Sequence, residues 1–138
     1  MLAHISQYEL IRNIFQKTPV IFANNTIYVT NTAAANFLEN IKFSGFVFAC
    51  ENELQNIGLI KSDLQKFIFI QSKPKLFISR AINKNIEGDK QYSDEYGKLF
   101  NLQVENNLLC VYPAKSQSLE THQKFFEDNS ISAVHCKK

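Results

Sequence analysis

The sequence predicts an α/β fold: a single-domain layered sandwich in which a mixed sheet of about five to seven strands is flanked by helices. Three observations lead there. The runs Phe46-Val47-Phe48-Ala49-Cys50 and Phe67-Ile68-Phe69-Ile70 are unbroken and apolar, the pattern of strands buried on both faces of a sheet. Helical and strand-like segments alternate, with a hairpin signal toward each end of the chain. The length of 138 residues suits one core, large enough to bury roughly two-thirds of its unfolded surface without disulfides or metal.

Residues 6–16 are predicted helical. Ser6-Gln7-Tyr8-Glu9 fits a capping box; Tyr8, Ile11 and Phe15 share one face, with Leu10 and Ile14 adjoining. Val20-Ile21-Phe22-Ala23 and Thr26-Ile27-Tyr28-Val29-Thr30 flank Asn24-Asn25 and read as a hairpin, since Asn tolerates a left-handed backbone. Thr32 is the expected N-cap of a helix over 33–42 that turns Ala34, Phe37, Leu38 and Ile41 inward. The strand 46–50 follows, then a short helix over 51–57 ended by Gly58, a single turn capped by Ser62, and the strand 67–71. Residues 76–82 read as a strand because Pro74 precedes them. Residues 83–98 carry one aliphatic, Ile86, and are expected to form a long polar loop, which in a compact domain is usually functional or mobile. A second hairpin joins Leu99–Glu105 to 108–112 through Asn106-Asn107. A last helix over 117–128, anchored by Leu119, Phe125 and Phe126, precedes a loose tail at 130–138.

The net charge is only +2, and the basic residues are scattered. The nearest thing to a patch is Lys73, Lys75, Arg80 and Lys84, diluted by Glu87 and Asp89, whereas a nucleic-acid binder shows a basic stripe. Direct nucleic-acid binding is therefore not expected. Twelve Phe and no Trp point to a bulky core. No signal peptide is recognisable, and no run approaches the roughly 20 apolar residues that span a bilayer. Three cysteines, Cys50, Cys110 and Cys136, are an odd number, and the first two lie in apolar strands. Together these features predict a cytoplasmic protein.

Four glycines, at 45, 58, 88 and 97, build neither a dinucleotide-binding fingerprint nor a phosphate loop. His-Glu-x-x-His and Cys-x-x-Cys are absent, so no cofactor, no metal site and no catalytic residue is expected. Cys50 is the best candidate nucleophile, since it ends a buried strand where open α/β sheets place their sites. It would need a base such as His122, and Glu51 and Glu53 push a thiol's pKa the wrong way; a core cysteine is the simpler reading. His4, His122 and His135 lack ligand spacing. Asp94-Glu95 reads as solvent-facing charge, and Tyr92 and Tyr96 as a small contact patch or a turn packing its own tyrosines. A non-catalytic protein-interaction module fits best. The alternatives are a toxin-neutralising immunity protein with a charged or aromatic face around 83–98, and a small α/β transferase or hydrolase using Cys50 or the acids of 51–53 and 94–95.

A sharper expectation comes from His4-Ile5-Ser6-Gln7-Tyr8-Glu9-Leu10-Ile11-Arg12, followed by the segment 20–30, and later from Val111-Tyr112-Pro113 and Lys124-Phe125-Phe126. In this order they resemble the psi subunit family of bacterial DNA polymerase III, whose N-terminal pattern is Gly-Ile-x-x-Trp-x-Leu-Arg. His4 stands for the Gly, Tyr8 for the Trp, and Arg12 falls one place late. The resemblance implies a bridge without catalysis: the N-terminal segment docks on the clamp-loader collar and the body binds a chi-like partner. Ile5, Tyr8, Leu10 and Arg12 would then make the partner contact, the apolar three as anchors of a helix seated in a groove.

Overall fold

The computed structural model describes residues 1–15, 19–81 and 90–135. The fold is α/β, with a mixed five-stranded sheet and a second, antiparallel sheet of four strands. The chain divides into two compact units, Met1–Ile70 with Leu119–Lys138, and Gln71–Ser118.

In the first unit three strands run parallel in the order β1 (Phe22–Ala23), β2 (Gly45–Val47), β3 (Gln65–Ser72). Parallel neighbours need crossovers, which helices normally supply, and here α2 (Thr32–Asn40) and α3 (Leu54–Leu59) occupy the two connections. The run at 46–50 is buried through Ala49, as its unbroken apolarity requires. β2 itself ends at Val47, although the amide of Phe48 still donates to the Phe67 carbonyl at 2.8 Å. Close approach of the strands demands Gly45: a Cβ there would stand 2.4 Å from the Gln65 carbonyl oxygen. β3 is also paired by β9 (Ile131–His135). The core gathers Leu2, Tyr8, Leu38, Phe43, Phe46, Phe48, Ile57, Ile68, Phe126 and Ile131 with their neighbours, all within this unit.

Several local expectations are corrected. The segment 20–30 is not a hairpin: β1 pairs parallel with β2, and Asn25–Ile27 is a 3-10 turn. A two-residue hairpin needs positive φ at one or both turn residues, and neither Asn24 nor Asn25 has it. The capping box is also absent. Ser6 sits at φ −63°, ψ −20°, already helical rather than in the extended cap conformation. Its place is taken by Gln7, whose Oε1 accepts from the amides of Ala3 (3.0 Å) and His4 (3.1 Å) ahead of α1 (Gln7–Ile14). The cap of α2 is Asn31, whose Oδ1 accepts from the Ala34 amide at 2.8 Å; Thr32 instead accepts from the Lys61 amide. Ala35 and Leu38 are the buried residues of α2, while Phe37 is exposed. Gly58 lies within α3, against the Phe125 ring, rather than ending it. Ser62 accepts from the Leu64 amide, but no helical turn follows.

At the C-terminal end the expected helix over 117–128 resolves into β8 (Gln117–Ser118), a 3-10 turn (Glu120–His122) and α4 (Gln123–Asp128). Residues 131–135 of the expected tail form β9; Ser130 takes φ +55° and turns the chain back, and Ile131 is buried. Residues 136–138 lie outside the described residues.

The second unit carries β4 (Phe77–Ser79), β5 (Gln91–Ser93), β6 (Leu99–Glu105) and β7 (Leu108–Pro113), in the antiparallel order β4-β7-β6-β5. Gln71 and Ser72 pair antiparallel with β8 in the same unit. The β6–β7 hairpin forms as expected, with Asn106 and Asn107 at φ +50° and +61°, the type I′ requirement. Within the predicted 83–98 loop, 91–93 is a strand and residues 94–98 turn into β6. There Asp94 Oδ1 accepts from the amides of Tyr96 (3.0 Å) and Lys98 (2.8 Å), and Gly97 takes φ +76°. The rest of that prediction, up to residue 89, lies outside the described residues.

Candidate functional site

α1 begins from a tethered N-terminus: the Leu2 amide donates to Phe22 O at 2.8 Å, and Asn24 N donates back to Leu2 O at 2.7 Å. This adds Leu2 to the sheet beside Ala23. The helix then lies with Tyr8 buried, its ring stacked on Phe43 at 5.3 Å between centroids, and with Ile11 packed against the core. The apolar arc of α1 is wider than the strip it buries. Leu10 and Ile14, one turn apart, are 65% and 66% exposed, and Phe15 follows them at the surface. Of the predicted contact residues, Ile5, Leu10 and Arg12 are exposed and Tyr8 is spent on the chain's own core. Sequence spacing placed Ile14 on the helix but did not single it out, because an apolar residue beside the buried face looks like part of that face.

Cys50 stands just past β2, half-buried. Its partner is a neutral carboxamide, Asn25 Nδ2, which donates to Sγ at 3.4 Å. Asn52 Nδ2 donates to Val29 O (3.2 Å), and Asn56 Nδ2 to both Thr30 O (2.9 Å) and Asn52 Oδ1 (2.6 Å). These amides hold the chain over 29–30 in place; none supplies a base to the thiol. His122 and His135 are exposed, and His4 bonds Ser6 at 2.7 Å. No three His, Cys, Asp or Glu among the described residues gather as metal ligands.

The second unit holds a charged cluster. Lys75 Nζ donates to Glu105 Oε2 at 2.6 Å, Tyr112 Oη donates to Glu105 Oε1 at 2.5 Å, and Nζ lies 5.8 Å from the Tyr112 ring centroid. The Lys75 ammonium and then the Tyr112 hydroxyl hold the Glu105 carboxyl below the usual carboxylate range. Glu105 raises Lys75 above its ordinary value. Burial, and then the bond to Glu105, push the Tyr112 phenol up. A phenol moved in that direction stays protonated at neutral pH and keeps donating to Glu105, so the trio acts as a clasp across the sheet. Lys73, also from the basic segment, donates to Ala114 O at 3.3 Å. Tyr92 is half-buried, while Tyr96 is exposed at the 94–98 turn.

A cleft of about 360 Å³ lies in the first unit. Ile70, Leu119, Phe126 and Ala133 line it with Glu120, Gln123 and His135. Sequence reasoning missed it because His135 was assigned to a tail; the alternation Ile131-Ser132-Ala133-Val134 was the available strand signal.

No helix among the described residues is long and apolar enough to cross a membrane. No family model, curated protein or solved structure matches the chain.

Proposed function

We propose that the protein is a non-catalytic interaction subunit that docks through α1, and in its sharpest form a psi-like bridge between the DNA polymerase III clamp loader and a chi-like partner. One observation carries this reading: α1 is anchored by Tyr8 and Ile11 yet keeps Leu10 and Ile14 at the surface, one turn apart. Pairs at that spacing are what an amphipathic helix inserts into an apolar groove. Leu10 and Ile14 are the anchors, with Ile5 and Arg12 at the margins. The free thiols of Cys50 and Cys110 accord with work in a reducing cytoplasm.

The test is an affinity pull-down from the native cell lysate, comparing the wild-type chain with a Leu10→Ala/Ile14→Ala variant. The expected result is recovery of clamp-loader or chi-like subunits, lost in the variant while its stability stays within about 0.5 kcal/mol of wild type. A different single partner, lost in the same variant, keeps the interaction class and discards the psi-like bridge. Partners retained by the variant, or none recovered, refute docking through α1.

A further inference from the structure

We propose that the outer edge of β4 is a strand-addition site for an extended partner segment with an apolar centre and acidic ends. This surface belongs to the second unit and is argued independently of α1. β4 is the terminal strand of its sheet, paired on one side by β7 in the register Phe77↔Val111, Ile78↔Cys110, Ser79↔Leu109. No strand among the described residues pairs its other side. A strand with one free side presents backbone N–H and C=O groups that another chain can complete.

The side chains support such use. Successive residues of a strand point to opposite faces, and both faces of this edge are open: Phe77 is 59% exposed and Ile78 53%, with Leu76 beside them. Strand addition gains its affinity from main-chain bonds and its selectivity from alternate side chains. Here an added strand would meet Phe77 on one face and Ile78 on the other.

Charge selects the occupant. Lys73 and Lys75 precede the strand and Arg80 follows it, so both ends of the edge are basic. Lys75 already holds Glu105 and Lys73 donates to Ala114 O, which leaves the exposed Arg80 as the stronger selector. A second copy is a poor occupant. Two-fold antiparallel pairing centred between Phe77 and Ile78 sets Lys75 of one chain against Arg80 of the other, and parallel pairing sets each cation against its own like. Juxtaposed like charges oppose association, whereas acidic residues at the ends of an incoming strand complement both cationic flanks.

The experiment uses the full chain and short fluorescent peptides of alternating valine and threonine, ended by paired glutamates or paired lysines. Anisotropy should show the glutamate-ended peptide binding at least about tenfold more tightly than the lysine-ended one, with the difference shrinking at about 0.5 M salt. Arg80→Glu, an exposed change outside the strand, should weaken the glutamate-ended peptide about fivefold or more. Phe77→Lys should abolish binding, and a Leu10→Ala/Ile14→Ala variant should bind normally. Amide NMR shifts on binding should concentrate at 76–80. Equal affinity for both peptides, no binding, or shifts centred elsewhere would overturn the proposal. So would a dimer in sedimentation that Phe77→Lys breaks, since the edge would then belong to a second copy.

Discussion

Glu105 has a carboxyl whose ionised form is favoured in the folded chain by the Lys75 ammonium at 2.6 Å and then by the Tyr112 hydroxyl. Its folded pKa therefore lies below its unfolded value of about 4.3. By linkage, the stabilisation it provides is complete above that unfolded value and is lost as pH falls through the folded one. Lys75 is shifted the opposite way. Its contribution is complete below about 10.4 and lost only as pH rises through its raised value, so only Glu105 of this pair titrates in acid. A comparison of thermal midpoints with Glu105→Gln should show a small gap, constant from neutral pH to about 5 and closing below about 4. The gap is small because solvent screens an exposed pair. A gap that widens in acid would show that the carboxyl is not held below its usual range. None of this was legible in the sequence, where Lys75 reads as part of a solvated basic segment and Glu105 as a hairpin residue. Only the register of β6 on β7 and the path into β4 bring them together. Asn106-Asn107 was legible because their left-handed backbone is a property of the residues themselves.

α1 is where element-level reading succeeds and stops. The 3.6-residue period identified the helix and its apolar arc, but periodicity does not say how much of an arc the chain covers itself. Tyr8 fills that role against Phe43, so a residue expected to anchor a partner anchors the fold. Tyr8→Ala should cost about 3–5 kcal/mol, the range for losing a buried aromatic, as read by denaturant midpoint. A loss under about 1 kcal/mol would mean that α1 does not depend on this contact. The strands β2 and β3 were equally legible, because unbroken apolar runs have few other resting places. The segment around Asn24-Asn25 was not. An Asn pair between two apolar runs is the local signal of a chain reversal, while the parallel partner of β1 lies a whole helix further on. Crossover pairing leaves no local mark.

Across the whole chain, burial is unequal. Among the described residues, every member of the main core belongs to the first unit, whereas the second buries only Leu109 and Cys110. Local opening costs more where more apolar surface must be exposed, so the two units should differ in native-state hydrogen exchange. The Phe48 amide, bonded to Phe67 O amid fully buried neighbours, should be among the slowest. The Leu102 amide, bonded to Lys90 O at 3.2 Å in a half-buried strand, should exchange about tenfold faster or more, because less apolar surface is buried around it. The contrast also bears on the β4 edge. Completing it with a bound strand adds main-chain bonds to the less protected unit alone, so the glutamate-ended peptide should slow Leu102 and leave Phe48 unchanged. Equal rates at Leu102 and Phe48 in the free protein would mean that the two units open together, and strand addition at β4 would then protect both amides.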